Sequence, residues 1–286
     1  MHDDPEPAPD AVDADTQPDP TPYVMGNHRA FDPATDCPQN FFAFLVGVRR
    51  MGKTEQTLEM LRAFHKTKRF TTYVLISATL SGYEDYIPHS FQFRDLTHVP
   101  TIISRCIDVA EYNAGQSEVK DMVAQSTLLI MDDVVGDPKD LRTSGNIIQK
   151  LAVNGRHIHR DDPHPTNEFC TILISQRASI IPPVIRTNAD LWMCSRMSNR
   201  KDRQTLIEEA LTMSSDRDGL NTARAVFDGI TMSKPYRFCV IALHNATRQT
   251  HADYVMYADS DPKAKGVRLF GTEDDWRVKK KRIDFS

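Results

Sequence analysis

The sequence predicts an α/β fold with a mainly parallel sheet and helices on both of its faces. Short runs of aliphatic, aromatic and β-branched residues alternate with segments of helical periodicity, and this alternation favours parallel strands joined by crossover helices. Two further observations agree with this fold. The first apolar run is followed by a glycine-rich turn, and the third ends in two consecutive aspartates. Ligand-binding residues often follow the carboxyl ends of strands in such sheets.

Each predicted element is an apolar run or an amphipathic segment bounded by polar or turn-forming residues. The predicted strands are 41–46, 71–77, 128–133, 171–175 and 238–243, with 190–194 as a further candidate and 254–257 as a candidate partner of 238–243. The predicted helices are about 53–68, a segment after Pro100 with Ile103, Ile107 and Ala110 on one face, 144–154, and 203–212. The segments 79–93 and 157–168 are polar and predict irregular structure.

The glycine-rich turn has the pattern Gly-x-x-x-x-Gly-Lys-Thr, which defines the phosphate-binding loop of P-loop NTPases when a buried strand precedes it and a helix follows. It consists of Gly47, Val48, Arg49, Arg50, Met51, Gly52, Lys53 and Thr54. Its glycines let backbone N–H groups turn around phosphates, and the helix N-terminus favours an anion. We expect Lys53 to reach the β- and γ-phosphates of ATP, and the Thr54 hydroxyl to bind Mg²⁺. A strand-to-helix turn without a ligand is the alternative, and the flanking apolar run and helical pattern favour nucleotide binding.

The aspartate pair at the end of the third strand has the pattern of a Walker B motif. Four apolar residues at 128–131 precede Asp132 and Asp133. We predict that Asp132 lies on the metal side, in the outer shell of Mg²⁺, and that Asp133 is the catalytic acid that polarises the attacking water. Glutamate is the commoner residue at the second position and reaches one methylene further. An ordinary strand-to-turn boundary is the alternative.

A polar residue also follows the fourth strand. In motors with a P-loop and a Walker B motif, a polar residue that senses the γ-phosphate follows a further strand. This sensor strand lies between the P-loop strand and the Walker B strand. Gln176 follows the fourth strand directly, and we predict that it hydrogen-bonds the γ-phosphate or the attacking water. An exposed glutamine at a strand end is the alternative.

Composition and charge set the domain organisation. The 286 residues, 40% of them hydrophobic, suffice for one good core, which we assign to a P-loop ATPase domain at 23–260. Residues 1–22 hold seven acids and no Lys or Arg, and we expect a disordered, acidic, Pro-rich tail. Without these acids the net charge changes from −4 to +3, so the body is mildly basic. Residues 261–286 are expected to be a charged tail. Its basic run at 277–282 leaves three alternatives open: contact with DNA phosphates, a nuclear localisation signal, or a solvated tail without a partner.

The sequence contains no apolar run of membrane-spanning length and no signal-peptide pattern, so we expect a soluble protein that is not exported by the signal-peptide route. The five cysteines are scattered and form no Cys-x-x-Cys pair, which favours free thiols in a reducing compartment. The histidines and aspartates at 157–164 lack a regular ligand spacing and do not favour a metal site.

Several segments in one order resemble a known family. They are the P-loop, the aspartate pair, Asn-Gly-Arg-His at 154–157, Ile-Ser-Gln at 174–176, and Ile-Pro-Pro-Val-Ile-Arg-Thr-Asn-Ala-Asp at 181–190. Together they resemble the DNA-packaging ATPases of poxviruses and other large DNA viruses, a branch of the FtsK–HerA superfamily. The resemblance covers about 41–192 and leaves 1–40 and 195–286 unmatched. It implies a RecA-like (ASCE) sheet, and ATP hydrolysis coupled to moving double-stranded DNA into a capsid at the virion or the assembly site.

The resemblance also implies a homo-oligomeric ring, a hexamer or a pentamer, that docks on a capsid protein. ATP sites at ring interfaces use a cation from the neighbouring subunit to neutralise charge on the γ-phosphate, and a guanidinium suits this role. Arg186, by its motif position, is the first candidate and Arg156 is the second. For each, a structural or solvent-exposed arginine is the alternative.

Three other functions stay open on the sequence alone. One is a different ATPase on nucleic acid, such as a helicase or a transposition ATPase. Another is a nucleotide-dependent scaffold at the capsid that turns ATP over slowly, which the aspartate at position 133 leaves open. A small-molecule kinase fits less well, because it needs a substrate pocket and lid and does not need an arginine from a neighbour.

Overall fold

A computed structural model of the chain describes residues 28–79, 82–134, 146–245, 249–260 and 266–277. The expected acidic tail, nearly all of the basic C-terminal run, and the start of the helix predicted at 144–154 lie outside the described residues. Within the described part, no helix is both long enough and apolar enough to span a bilayer.

One sheet organises the described residues. Its strands are β1 Phe42–Val46, β2 Thr72–Ser77, β3 Gln92–Phe93, β4 Thr127–Asp132, β5 Phe169–Ser175, β6 Leu191–Cys194, β7 Phe238–Ala242 and β8 Val255–Ala258. The spatial order is β3-β2-β4-β5-β1-β6-β7-β8, and the pairs from β3 to β6 are parallel, whereas β7 and β8 add antiparallel strands. The prediction of a mainly parallel sheet is therefore confirmed, as is the pairing of the last two strands.

Helices cover both faces of this sheet. They are α1 Pro33–Asp36, α2 Lys53–Lys66, α3 Val99–Ala114, α4 Ile147–Asn154, α5 Pro183–Arg186, α6 Arg200–Leu206, α7 Arg217–Ser233, α8 His251–Tyr254 and α9 Glu273–Arg277. A π-helical turn, Ile207–Leu211, continues α6, and 3-10 turns lie at His89–Phe91, Leu96–His98, Val119–Asp121 and Gly155–His157.

The central strand shows why the core has two halves. Successive strand side chains point to opposite faces. Phe44 therefore packs on the face covered by α3, α4 and α7, whereas Leu45 packs on the face covered by α2. Phe44 contacts Trp192 of β6 edge-on, with ring centroids 5.1 Å apart. Because β1 is buried on both faces, it is a continuous apolar run and not an alternating one.

Two features of the helices differ from the sequence prediction. The sequence analysis missed α7, although its buried residues Ala223, Val226, Phe227 and Ile230 have helical spacing and Asp216 caps its first turn. The apolar face predicted for α3 is also wrong in part. Ile107 is 40% exposed, because the sheet-facing stripe of α3 runs through Cys106 and Val109.

The stretch 266–277 lies in the predicted charged tail, yet it contacts the domain. Leu269 is buried and its backbone N–H donates to the carbonyl oxygen of Tyr86, 3.0 Å away. The ring of Phe270 packs edge-on against Phe91. The boundary at 260 remains a prediction, and these contacts favour a domain that extends past it.

All five cysteines of the sequence are buried and free. Burial raises the pKa of the Cys106 thiol to about 11, although a hydrogen bond from Thr127 opposes this rise. Burial likewise raises the pKa of the other four thiols well above the ordinary value.

Candidate active site

The P-loop follows the carboxyl end of β1, and its two glycines are required for different reasons. Gly52 has a φ of +81°, a conformation that a side chain disfavours, and it caps the start of α2. A Cβ on Gly47 would lie 2.2 Å from Oγ of Ser195, which follows β6. The loop therefore keeps its backbone close to β6 only because position 47 has no side chain.

Lys53 opens α2 and folds back over the loop. Its Nζ donates to the carbonyl oxygens of Gly47 at 2.8 Å and Val48 at 3.2 Å. Burial lowers the pKa of Lys53, while the nearby carboxylates Asp132 and Asp133 oppose this shift. The charges of these two aspartates thus stabilise the charged form of the lysine, as expected when a P-loop and a Walker B motif share one edge of the sheet.

Asp132 is the last residue of β4, and its carboxylate is largely buried. The Tyr83 hydroxyl donates to its Oδ2 at 3.2 Å. Burial raises the pKa of the Asp132 carboxyl, the hydrogen bond from Tyr83 and the charge of Lys53 lower it, and the charge of Asp133 raises it. Burial also raises the pKa of Tyr83 well above its ordinary value, so this hydroxyl stays protonated and can donate.

The residues present fit Mg²⁺. Tyr83 lies between the two predicted metal-side residues, because its hydroxyl donates to Asp132 and Thr54 is near enough to lower the pKa of Tyr83. A hydroxyl and a carboxylate are the hard oxygen donors that Mg²⁺ prefers, and this ion usually keeps several waters of its own. Thr54 and Asp132 are therefore the residues that would hold the ion, directly or through water.

Asp133 and Gln176 meet at the ends of β4 and β5. The Gln176 amide donates to both carboxylate oxygens of Asp133, at 3.2 and 3.0 Å. Asp133 has a φ of +54°, a left-handed conformation that turns the chain away from the sheet directly after β4. Both side chains are exposed, and so they are accessible to a nucleotide and a water molecule.

The strand order explains why these residues meet. β5 lies between β1 and β4, so the residue after β5 lies between the P-loop and the aspartate pair. The sequence analysis placed the sensor strand in this position. Lys53, Thr54, Asp132, Asp133 and Gln176 therefore share the carboxyl edge of the parallel strands.

Arg186 does not join this group. It lies in α5, before β6, and is buried with its side chain only 7% exposed. Its Nε and Nη2 donate to the Glu209 carboxylate at 2.8 and 2.5 Å, and its Nη1 donates to the carbonyl oxygen of Ile181 at 2.9 Å. All three nitrogens of its guanidinium thus have partners within the subunit.

Arg156 lies near Arg186 but is exposed, and its Nη2 contacts Oδ1 of Asn188 at 3.3 Å. Both arginines line a cavity of about 430 Å³ together with Asp190. The Asp190 carboxylate accepts from the N–H of Phe42, the first residue of β1, so this cavity lies at the amino edge of the sheet. That edge is roughly 15 Å from the P-loop, the length of β1. Neither arginine therefore lies at the P-loop of its own subunit.

The structure adds two residues that the sequence analysis missed, Tyr83 and Ser195. Tyr83 lies in a stretch that looked polar and irregular, and no local pattern links it to Asp132. The Ser195 hydroxyl is fully buried without a hydrogen-bond partner among the described residues. Its position directly after a predicted strand is a weak signal, because a serine there is common.

The fold and the site define a P-loop ATPase. A model of the family described as poxvirus A32 protein matches residues 29–265, and the chain belongs to that family. A comparison with curated proteins finds no match.

One solved structure shows the same fold at low identity. The genome packaging NTPase B204 from Sulfolobus turreted icosahedral virus 2, in complex with sulfate, is 12% identical with a TM-score of 0.51, over 78% of this chain and 98% of that chain. The DNA-packaging ATPase B204 from Sulfolobus turreted icosahedral virus is 13% identical with a TM-score of 0.47, over 78% and 98% of the two chains.

Proposed function

We propose that this protein hydrolyses ATP to move viral double-stranded DNA into a capsid. The observation that carries the proposal is the convergence of Lys53, Asp132, Asp133 and Gln176 at the carboxyl edge of the sheet. The cargo is inferred from membership of the poxvirus A32 protein family and from the similarity in fold to B204, which is a genome packaging NTPase. The proposed location of this activity is the site of virion assembly in the host cell.

The proposed mechanism assigns one task to each residue of this edge. The P-loop N–H groups and Lys53 hold the phosphates, and Lys53 exchanges its bonds to Gly47 and Val48 for bonds to phosphate oxygens. Asp133 orients and polarises the attacking water, and Gln176 positions the water or the γ-phosphate. Thr54 and Asp132 would hold Mg²⁺, which would supply positive charge to neutralise the phosphates.

The position of the two arginines supports action as a homo-oligomeric ring. Both lie at the edge of the sheet opposite the P-loop. Either arginine could therefore act only on the γ-phosphate of a nucleotide bound by a neighbouring subunit. The exposure of Arg156 favours it over Arg186 for this role, because the guanidinium of Arg186 is already bound by Glu209. We also propose that the ring is a hexamer or a pentamer and that it docks on a capsid protein.

The test is ATP hydrolysis with Mg²⁺, measured with and without linear double-stranded DNA, for the wild type, Lys53→Ala and Lys66→Ala. Lys66 ends the same helix, α2, and is exposed, so its substitution controls for loss of a lysine from this element. We expect DNA to stimulate turnover in the wild type and in Lys66→Ala, and Lys53→Ala to be inactive. Turnover that depends on Lys53 but is indifferent to DNA would contradict the motor and favour the slow scaffold.

A further inference from the structure

An aromatic side chain lies against the P-loop on the side opposite the aspartates. Tyr236 belongs to the turn between α7 and β7 and is 52% exposed. Its Cβ, Cδ1 and Cγ lie 3.5, 3.6 and 3.8 Å from the point that a Cβ on Gly52 would occupy. Gly52 directly precedes Lys53, so the ring borders the loop that is proposed to hold the phosphates.

The backbone of Tyr236 is in an unusual conformation. Its φ is +60°, a left-handed value that is uncommon for a bulky aromatic residue and persists only where the surrounding structure imposes it. An exposed ring gains little from burial, so packing into the core does not explain why an aromatic residue occupies this position.

The neighbours of Tyr236 hold this turn in place. The Arg237 guanidinium donates through Nε and Nη2 to both oxygens of Asp259, each at 2.8 Å, and Nζ of Lys234 donates to the same carboxylate at 3.1 Å. The guanidinium also lies over the Tyr257 ring, 4.2 Å from its centroid. Residues on both sides of Tyr236 thus contact the end of β8, which holds the turn that carries the aromatic ring beside the loop.

The strand order gives the nucleotide site a direction. The γ-phosphate end is set by Asp132, Asp133 and Gln176, which follow β4 and β5 on one side of β1. β6 and β7 lie on the other side of β1, and the turn that carries Tyr236 precedes β7 at the same edge of the sheet. A nucleotide whose γ-phosphate meets the aspartates therefore extends its ribose and base toward β7 and Tyr236.

We propose that Tyr236 is the platform on which the base of the bound nucleotide stacks. This inference rests on the proposed function, since it names the base-binding part of the same site. A fixed, exposed ring binds a purine face at little entropic cost, and stacking tolerates different bases because each has a π-face. Tyr236 therefore adds affinity for nucleotides without selecting ATP over GTP.

The experiment compares two ligands that share phosphates but not a base. Binding of ATP and of inorganic tripolyphosphate, each with Mg²⁺, is measured by calorimetry for the wild type, Tyr236→Ala, Tyr236→Phe and Tyr112→Ala. Tyr112 lies on α3 and has the same 52% exposure, so it controls for loss of a surface tyrosine. We expect Tyr236→Ala to bind ATP about tenfold more weakly and tripolyphosphate as the wild type does, and Tyr236→Phe to bind ATP normally.

The remaining outcomes separate this inference from the proposed function. An equal loss of affinity for ATP and tripolyphosphate would overturn the inference, because Tyr236 would then only support the P-loop. Unchanged ATP affinity in Tyr236→Ala would also overturn it. A wild type that binds neither ligand would instead overturn the proposed function. If Tyr236→Ala melts early, Tyr236→Asn replaces it, because asparagine tolerates a left-handed backbone and has no ring.

Discussion

The side-chain amide of Gln176 bonds both carboxylate oxygens of Asp133, across the gap between the ends of β5 and β4. The amide thereby fixes the orientation of a carboxylate that is otherwise exposed. In the proposed mechanism, the same two groups receive the attacking water and the γ-phosphate. The pair is thus a candidate for the element that senses whether ATP or ADP is bound.

Replacing Asp133 with asparagine should separate binding from hydrolysis. Asp133→Asn keeps the size of the side chain but removes the charge that polarises the attacking water, so we expect wild-type ATP affinity and a fall in kcat of about 10²- to 10⁴-fold. Binding by calorimetry and phosphate release measure the two quantities. Asp161→Asn, at an exposed position in the loop before β5, is the matched control. Turnover within a factor of two of wild type in Asp133→Asn would exclude the catalytic role.

A methyl group at position 47 should disturb the P-loop through Ser195. Gly47→Ala places a Cβ only 2.2 Å from the Ser195 Oγ, and such overpacking costs about 1–3 kcal/mol. We expect a lower melting temperature and weaker ATP binding. The double variant Gly47→Ala/Ser195→Gly removes the clashing side chain and should recover much of both losses. A Gly47→Ala variant as stable as the wild type would contradict the close approach.

Arg186 and Arg156 should respond differently to truncation. Arg186→Ala removes the guanidinium donor of the Glu209 carboxylate and of the Ile181 carbonyl oxygen, and we expect a loss of about 3 kcal/mol in the free energy of unfolding. Arg156→Ala removes an exposed side chain with one weak contact, and its stability should stay within about 0.5 kcal/mol of wild type. Chemical denaturation measures both. An equal effect of the two substitutions would contradict the structural role of Arg186.

Mixed rings should reveal which arginine acts on a neighbour. Arg156→Ala subunits, inactive alone, should regain ATPase activity when mixed with Lys53→Ala subunits, because some interfaces then pair an intact P-loop with an intact arginine. The same mixture with Arg186→Ala tests the other candidate. Co-assembly is verified first by native mass spectrometry. Proven co-assembly without recovery in either mixture would exclude both arginines from this role.

Acid should weaken the loop before β5 through Asp162. Burial raises the pKa of this carboxyl, but hydrogen bonds from Asn167, the His164 N–H, Asn113 and His159 lower it more, to below the ordinary 3.8. A depressed pKa contributes stability that is present above the unfolded-state value near 4 and lost as pH falls through the folded-state value.

Asp162→Asn should therefore be about 2 kcal/mol less stable than wild type at pH 7, because it loses the charge-assisted bonds. The difference should shrink as pH falls below 4. Melting curves from pH 7 to pH 2 measure it, with exposed Asp161→Asn as the control. A difference that does not change with pH would contradict a charged Asp162 in the folded protein.

The sequence was informative where local patterns determine structure. The apolar runs and the P-loop predicted the central strands and α2 to within two residues, because periodicity and turn chemistry are local. The contact between Gln176 and Asp133 could be anticipated only through the strand order. The partners of Arg186 and of Tyr83 depend on distant segments, such as the turn that holds Glu209, and no local pattern encodes these pairings.

The buried thiols have a practical consequence for observing the proposed motor. A thiol whose pKa is about 11, like that of Cys106, is almost entirely protonated at neutral pH, and maleimide dyes react with accessible thiolate. A single cysteine introduced on the surface, for example by Tyr112→Cys, should therefore carry a fluorophore without removal of the native residues. Energy transfer between labelled subunits could then be followed during ATP hydrolysis.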